Sequence, residues 1–285
     1  MRPNYLTDEL LTQFIQSAFS EDIGDGDHST LASIPPGAVK TAHLLIKENG
    51  ILAGVELAQL IFHHFDPTLR IDVLVQDGMP VKKGQQAFIV SGKAQSILST
   101  ERLVLNCMQR MSAIATKTRL YNSIIEGTGA RLLDTRKTTP NFRMIEKWAV
   151  LIGGGNNHRI GLYDMIMLKD NHIDMAGGIA PAINRTKDYL RARNMHLKIE
   201  VETRTLMEVQ QVLEVGGVDM IMLDNMDLKT MREAVKIIGG RSQTEASGGI
   251  SEETIRGVAE CGVDFISVGA LTHSIQSLDL SLKAV

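Results

Sequence analysis

Between residues 131 and 172 the chain carries RLLDTRKTTP, GGGNNHR and MIMLKDNH, which supply Arg136, Lys137, His158, Arg159 and Lys169. These five cationic or potentially cationic groups sit in a chain of formal charge -3, with 30 Lys+Arg against 33 Asp+Glu. Cations concentrated against an acidic background are local design, not general basicity. They predict a pocket for a small, multiply anionic ligand, because guanidinium and ammonium groups bind carboxylate or phosphate through charge-assisted hydrogen bonds.

Other residues farther along could do different chemistry. Glu202 and Asp224 could form a paired-carboxylate acid/base device, bind a metal, or grip vicinal hydroxyls of a sugar. Lys169, at the end of an apolar run, could be a Schiff-base lysine of an aldolase-type barrel. SGGI, which includes Ser247, Gly248 and Gly249, and SVGALT, which includes Val268, Gly269 and Ala270, are small glycine turns leading towards helices. Backbone N–H groups exposed in such turns make phosphate sites. GGGNNHR lacks the G-x-G-x-x-G spacing of a dinucleotide fold, so its glycines are read as bending the backbone to face His158 and Arg159 into the pocket.

The elements that must position these groups follow a βα cadence. Strand-like segments recur at 131–134, 163–168, 197–202, 219–223, 243–246 and 264–268, with helical stretches such as TLMEVQQVLEVG and EETIRGVAECG between them. Most of the candidate groups fall at the C-terminal ends of these strands, where barrel active sites are built. The first part of the chain reads differently. It has a helix over 6–20, a polar glycine turn in EDIGDGDHST, strands at 40–47 and 71–76, a helix near 54–65, and a hairpin about Gly84 in DGMPVKKGQQAFIVSG. A long helix over 98–126 follows, which places the domain boundary near 100–115. The expected division is a domain over 1–110 and an α/β barrel of fewer than eight strands over 111–285, whose last residues return to the first domain.

The 285 residues, 44% hydrophobic, suffice for a sizeable core. No basic face for nucleic acid is evident, and no apolar stretch approaches the ~18 residues of a membrane span. Cys107 and Cys261 lie far apart and read as buried thiols of a reducing compartment. The N-terminal MRPNYLTDEL lacks an apolar signal core, so a soluble, cytoplasmic chain is expected.

Taken together, EDIGDGDHST, KENGILAGVE, ERLVLNCMQRMSAIAT, LLDTRKTTPNFR, EKWAV, GGGNNHRIGLYDMIMLKDNHI, EVET, IMLDN, EASGGI and ISVGALTHS resemble, in order and almost end to end, the quinolinate phosphoribosyltransferase family. The resemblance implies an N-terminal α/β sandwich joined to an open, TIM-like α/β barrel of the type II phosphoribosyltransferases. It implies a pentosyltransferase that joins quinolinate to phosphoribosyl pyrophosphate with Mg²⁺, yielding nicotinate mononucleotide, pyrophosphate and carbon dioxide for NAD synthesis. It further implies a homodimer whose subunits complete each other's sites.

By position, the resemblance implies that Arg136, His158, Arg159 and Lys169 hold the two quinolinate carboxylates, with Lys137 and Thr138 close by and Arg102 reaching in from the partner subunit. Glu202 and Asp224 would engage the ribose hydroxyls and the Mg²⁺-pyrophosphate. Ser247, Gly248 and Gly249, with Val268, Gly269 and Ala270, would surround the sugar phosphate. Departures from the family pattern are Asn141 in place of a common glycine, Trp148 in place of tyrosine, and one extra residue between Glu202 and Asp224. Two rivals remain: a protein of the same fold acting on another carboxylated acceptor, and a non-catalytic phosphosugar-binding protein.

Overall fold

The computed structural model describes residues 2–285, which divide into two compact units. The first comprises 2–119, 138–154 and 271–285, and the second 120–137 and 155–270. The first unit thus takes in two later returns of the chain, of which local composition does not signal 138–154.

The chain opens with α1 (Asp8–Ile23), α2 (His28–Ser33), β1 (Val39–Ile46), β2 (Gly50–Ile51) and α3 (Val55–Phe65). β3 (Arg70–Val73), β4 (Pro80–Val81), β5 (Gln86–Lys93) and the long α4 (Ala94–Ile124) follow. Thr7 caps α1 by accepting the Leu10 N–H, and Gly24 ends it. In β1, Ala42, Leu44 and Ile46 are buried at alternate positions, as one covered sheet face requires. α3 lays Val55, Leu57, Ala58, Ile61 and Phe62 inward, and Phe62 meets Phe88 of β5 edge-on with ring centroids 5.9 Å apart.

The expected hairpin about Gly84 does not form. β4 pairs antiparallel with β2, whereas β5 pairs with β1 and β3, so the two arms flanking the glycine join different sheets. Gly84 turns the chain at φ +93° without pairing its flanks. The C-terminal strand β12 (Leu280–Ala284) pairs antiparallel with β1, which completes a four-stranded sheet in the order β12-β1-β5-β3.

The remaining elements are β6 (Arg131–Leu133), α5 (Arg143–Ile152), β7 (Ile166–Leu168), α6 (Asp170–Ala176), α7 (Ile179–Ala192) and β8 (Ile199–Thr203). Then come α8 (Leu206–Val215), β9 (Met220–Asp224), α9 (Leu228–Ile238), β10 (Gln243–Ser247), α10 (Ile255–Ala259), β11 (Phe265–Ser267) and α11 (Ala270–His273). Helix α5 belongs to the first unit; it buries Trp148 completely, so the indole at this position is core packing. Asn141, just before α5, has φ +60°, the left-handed conformation that asparagine tolerates better than other non-glycine residues.

In the second unit, six parallel strands lie in the order β6-β11-β10-β9-β8-β7. The strands first and second in sequence, β6 and β7, are thus the two edges, and the sheet is an open barrel. One parallel bridge, Leu133 to Asn156, lies beside the β6 edge. There Asn156 donates its N–H to Leu132 and accepts that of Asp134. The inner surface includes a buried apolar cluster of Leu133, Met220 and Phe265. Among the described residues no helix is long and apolar enough to cross a membrane.

Candidate active site

Most of the candidate residues stand at the C-terminal ends of the second unit's strands. Asp134, directly after β6, is fully buried. Its carboxylate accepts from Asn157 Nδ2 at 2.6 Å and from the His158 N–H at 2.9 Å. The GGGNNHR segment is therefore tied to the end of β6 by an acid that precedes the cationic Arg136. Arg136 and Arg159 are half-buried. Arg159 Nη1 donates to the Met165 carbonyl at 3.3 Å. Burial depresses the Arg159 guanidinium below its usual range, and repulsion from Arg136 depresses it further, while the Glu200 charge works the other way. Two guanidiniums held close enough to repel are an anion site by construction.

Lys169, exposed at the end of β7, caps α6, and its backbone N–H donates to His172 Nδ1 at 3.0 Å. Glu202 lies on β8, buried. Its carboxyl is raised above the ordinary range by burial first and by the Asp224 charge second, with Lys169 opposing. Lys169 thus lies close enough to the Glu202–Asp224 pair for its charge to act on Glu202. Two carboxylates that repel each other fit a divalent cation, whose charge would relieve them; hard oxygen donors of this kind suit Mg²⁺.

Asp224 ends β9 in register with Ser247 of β10. Asn225, at φ +53°, donates Nδ2–H to Asp224 at 2.7 Å and its backbone N–H to the Ser247 carbonyl at 2.9 Å. The turn after Ser247 then runs against this corner. Gly248 has φ +99°, and a Cβ there would lie 2.9 Å from the Asn225 nitrogen, so only glycine fits. The glycine turn is in this way packed against the carboxylate pair.

Two of the candidates make contacts of their own. His158 does reach the site, but both of its ring nitrogens are engaged. Nε2 lies 2.9 Å from Glu200 and 3.2 Å from Glu245, and Nδ1 accepts the Arg159 N–H at 2.7 Å. Its side chain is buried, and these contacts tie the segment that carries Arg159 to β8 and β10. Val268 has a buried side chain and donates its N–H to the Leu133 carbonyl at 3.0 Å, at the start of the turn that continues into Gly269 and Ala270.

Arg102 and Thr138 belong to the first unit. Arg102 is exposed on α4, and Thr138 Oγ1 accepts from Arg143 Nε at 3.0 Å. The neighbouring Thr139 donates both its N–H and its hydroxyl to the buried Glu146, which also binds Arg110 at 2.8 Å. A cavity of about 400 Å³ in this unit, walled by Phe14, Leu103, Arg110 and Phe142, contains none of the candidate residues. Glu200, Glu245, Asp134 and Asn225 are further residues of the site, and the sequence shows them only as polar or charged residues near strand ends. Period-2 alternation, which puts Glu200 and Glu202 on one face of β8, was the one available signal.

Comparison with known proteins adds to this geometry. Two family models match, described as quinolinate phosphoribosyl transferase, N-terminal domain, over residues 27–112, and C-terminal domain, over residues 114–283. The chain is 48% identical over 288 residues to the chloroplastic nicotinate-nucleotide pyrophosphorylase (carboxylating) of Arabidopsis thaliana, covering 96% of this chain and 82% of that one. It is 46% identical, with the same coverage, to the mitochondrial quinolinate phosphoribosyltransferase (decarboxylating) 2 of Nicotiana glauca. A crystal structure of NadC from Streptococcus pyogenes superposes with a TM-score of 0.92 at 37% identity, over 98% of this chain and 99% of that one. The organellar names of these plant relatives overturn the expectation of a cytoplasmic chain. That expectation rested on a missing apolar signal core, which organellar transit peptides do not have either.

Proposed function

The chain belongs to the quinolinate phosphoribosyltransferase family, and from that premise we propose that it transfers the phosphoribosyl group of phosphoribosyl pyrophosphate to quinolinate with loss of carbon dioxide. The observation that carries this is that one unit holds both two mutually repelling guanidiniums, Arg136 and Arg159, and two mutually repelling carboxylates, Glu202 and Asp224, with Lys169 acting on Glu202. A site needing both halves takes an anionic acceptor and a sugar that develops positive charge.

Quinolinate carries adjacent carboxylates, and Arg136, Arg159 and Lys169 would hold them, with Lys137 and Thr138 beside. The quinolinate ring nitrogen forms a bond to the anomeric carbon as the bond to pyrophosphate breaks. The ribose carbon passes through oxocarbenium-like charge, which the Glu202 and Asp224 carboxylates stabilise. The ring nitrogen then carries the positive charge. The carbon–carbon bond to the neighbouring carboxylate breaks, its electrons pass into the ring, and carbon dioxide leaves; a proton replaces it. Glu202 and Asp224 would hold Mg²⁺ with the pyrophosphate, and the ion would supply charge neutralisation of the leaving group. Ser247, Gly248, Gly249, Gly269 and Ala270 would receive the sugar phosphate. The work is positioning and electrostatics, with no strong base required.

Arg102, exposed in the first unit, would serve the site of a partner subunit in a homodimer. Retention of Lys169, Glu202 and Asp224 together disfavours a non-catalytic phosphosugar binder. The deciding experiment follows quinolinate loss and pyrophosphate release with Mg²⁺ present, using nicotinate as the competing acceptor. Turnover with quinolinate and not with nicotinate is expected. Equal use of both acceptors would sink the assignment of the cations to two carboxylates, and binding of phosphoribosyl pyrophosphate without turnover would restore the binding-protein reading.

A further inference from the structure

Glu200 and Glu245 are fully buried on β8 and β10, strands separated by β9. Alternate strands of a barrel contribute side chains to one inner layer, which is how two residues so placed can face a common point. That point is His158 Nε2, 2.9 Å from one carboxylate and 3.2 Å from the other. On the far side of the ring, Nδ1 accepts the Arg159 N–H at 2.7 Å, so the ring proton sits on Nε2 and points to the acids. His158's own N–H is held by Asp134. Attachments from the end of β6, from β8 and from β10 thus converge on a segment that, among the described residues, has one isolated bridge as its strand pairing.

Two acids on one imidazole are more than a structural anchor needs. One buried acceptor would satisfy Nε2–H, and a second buried carboxylate lowers stability. Glu200 Oε1 and both carboxylate oxygens of Glu245 are buried without a hydrogen-bond partner among the described residues, so Glu245 meets the ring as an ion pair. Such a tolerated cost belongs where a site requires it. The Glu200 charge also favours the Arg159 cation, which burial and Arg136 both oppose.

We infer that Glu200 and Glu245 are positioning residues, which act through the His158 ring to fix the backbone at Arg159 and aim its guanidinium at the anionic acceptor. The inference rests on the assignment of Arg159 to a quinolinate carboxylate. Neither acid touches substrate, so the effect should appear in the affinity for the acceptor and not in that for the phosphoribosyl donor.

The test is a kinetic double-mutant cycle on the full chain with Glu245→Gln, Arg159→Ala and the double variant. Glu245→Gln should raise KM for quinolinate about fivefold or more and leave KM for phosphoribosyl pyrophosphate within about twofold. The double variant should be no worse than Arg159→Ala, because the acid acts only through that arginine. A folded Glu245→Gln enzyme with normal quinolinate KM, or effects that multiply in the double variant, would overturn the inference. If circular dichroism shows that Glu245→Gln does not fold, His158→Gln takes its place in the cycle with the same two outcomes. Arg159→Ala with unchanged quinolinate KM would instead defeat the underlying substrate assignment.

Discussion

Asp134 accepts the backbone N–H of His158 at 2.9 Å, a bond that joins the end of β6 to the segment beside the open edge of the sheet. The same fully buried carboxylate binds Asn157 Nδ2 at 2.6 Å. Removing it as Asp134→Ala leaves those two donors without this acceptor, which should lower stability by about 1–3 kcal/mol for each left unsatisfied. Asp134→Asn keeps one acceptor oxygen and should fall between. Urea unfolding of the three proteins measures this, and equal midpoints would show that water replaces the carboxylate.

Arg136→Ala should reduce kcat/KM with quinolinate by about 2–5 kcal/mol of transition-state stabilisation, since a carboxylate desolvated in the site loses its partner. Lys169→Ala should reduce it about tenfold or more. Steady-state kinetics with both substrates varied is the measurement. Near-normal turnover in either variant would place the carboxylates elsewhere.

Arg102 is exposed in the first unit and is assigned to a partner's site. Arg102→Ala and Lys169→Ala enzymes, each impaired alone, should therefore recover activity above either parent when mixed under conditions that exchange subunits, because one hybrid site has every group intact. No recovery in demonstrated hybrids would show that Arg102 works within its own chain.

A pH effect on stability is expected from Asp66, at the end of α3. Hydrogen bonds from the Thr68 hydroxyl first and Ser96 second hold its carboxyl down at about 2 against an ordinary 3.8. A depressed acid stabilises the fold in its charged form. Its contribution is complete above the ordinary value and is lost as pH falls from 3.8 through about 2. The difference in unfolding midpoint between the wild type and Asp66→Asn should shrink across that window; a difference unchanged at its acid end would refute the pairing.

The chemistry of this protein is legible in its sequence where it depends on residue type and local period. The βα cadence placed Arg136, Lys169, Glu202 and Asp224 at strand ends, because strands are short apolar runs and the charged residues that follow cannot stay in the core. The left-handed turn at Gly248 was signalled by glycine itself. The family likeness extended these positions to a reaction.

The partnerships were not legible. That β4 pairs with β2 and not with β5, that residues 138–154 belong with the first unit, and that His158 turns to Glu200 and Glu245 are long-range choices. Local periodicity says which face a side chain is on, but not which distant residue shares that face. For His158 the difference is one of role: by residue type it is an anion ligand, and by its surroundings it is the anchor of one. Only the tertiary structure, in which Glu200 of β8 and Glu245 of β10 meet one ring from strands separated by β9, shows the second role.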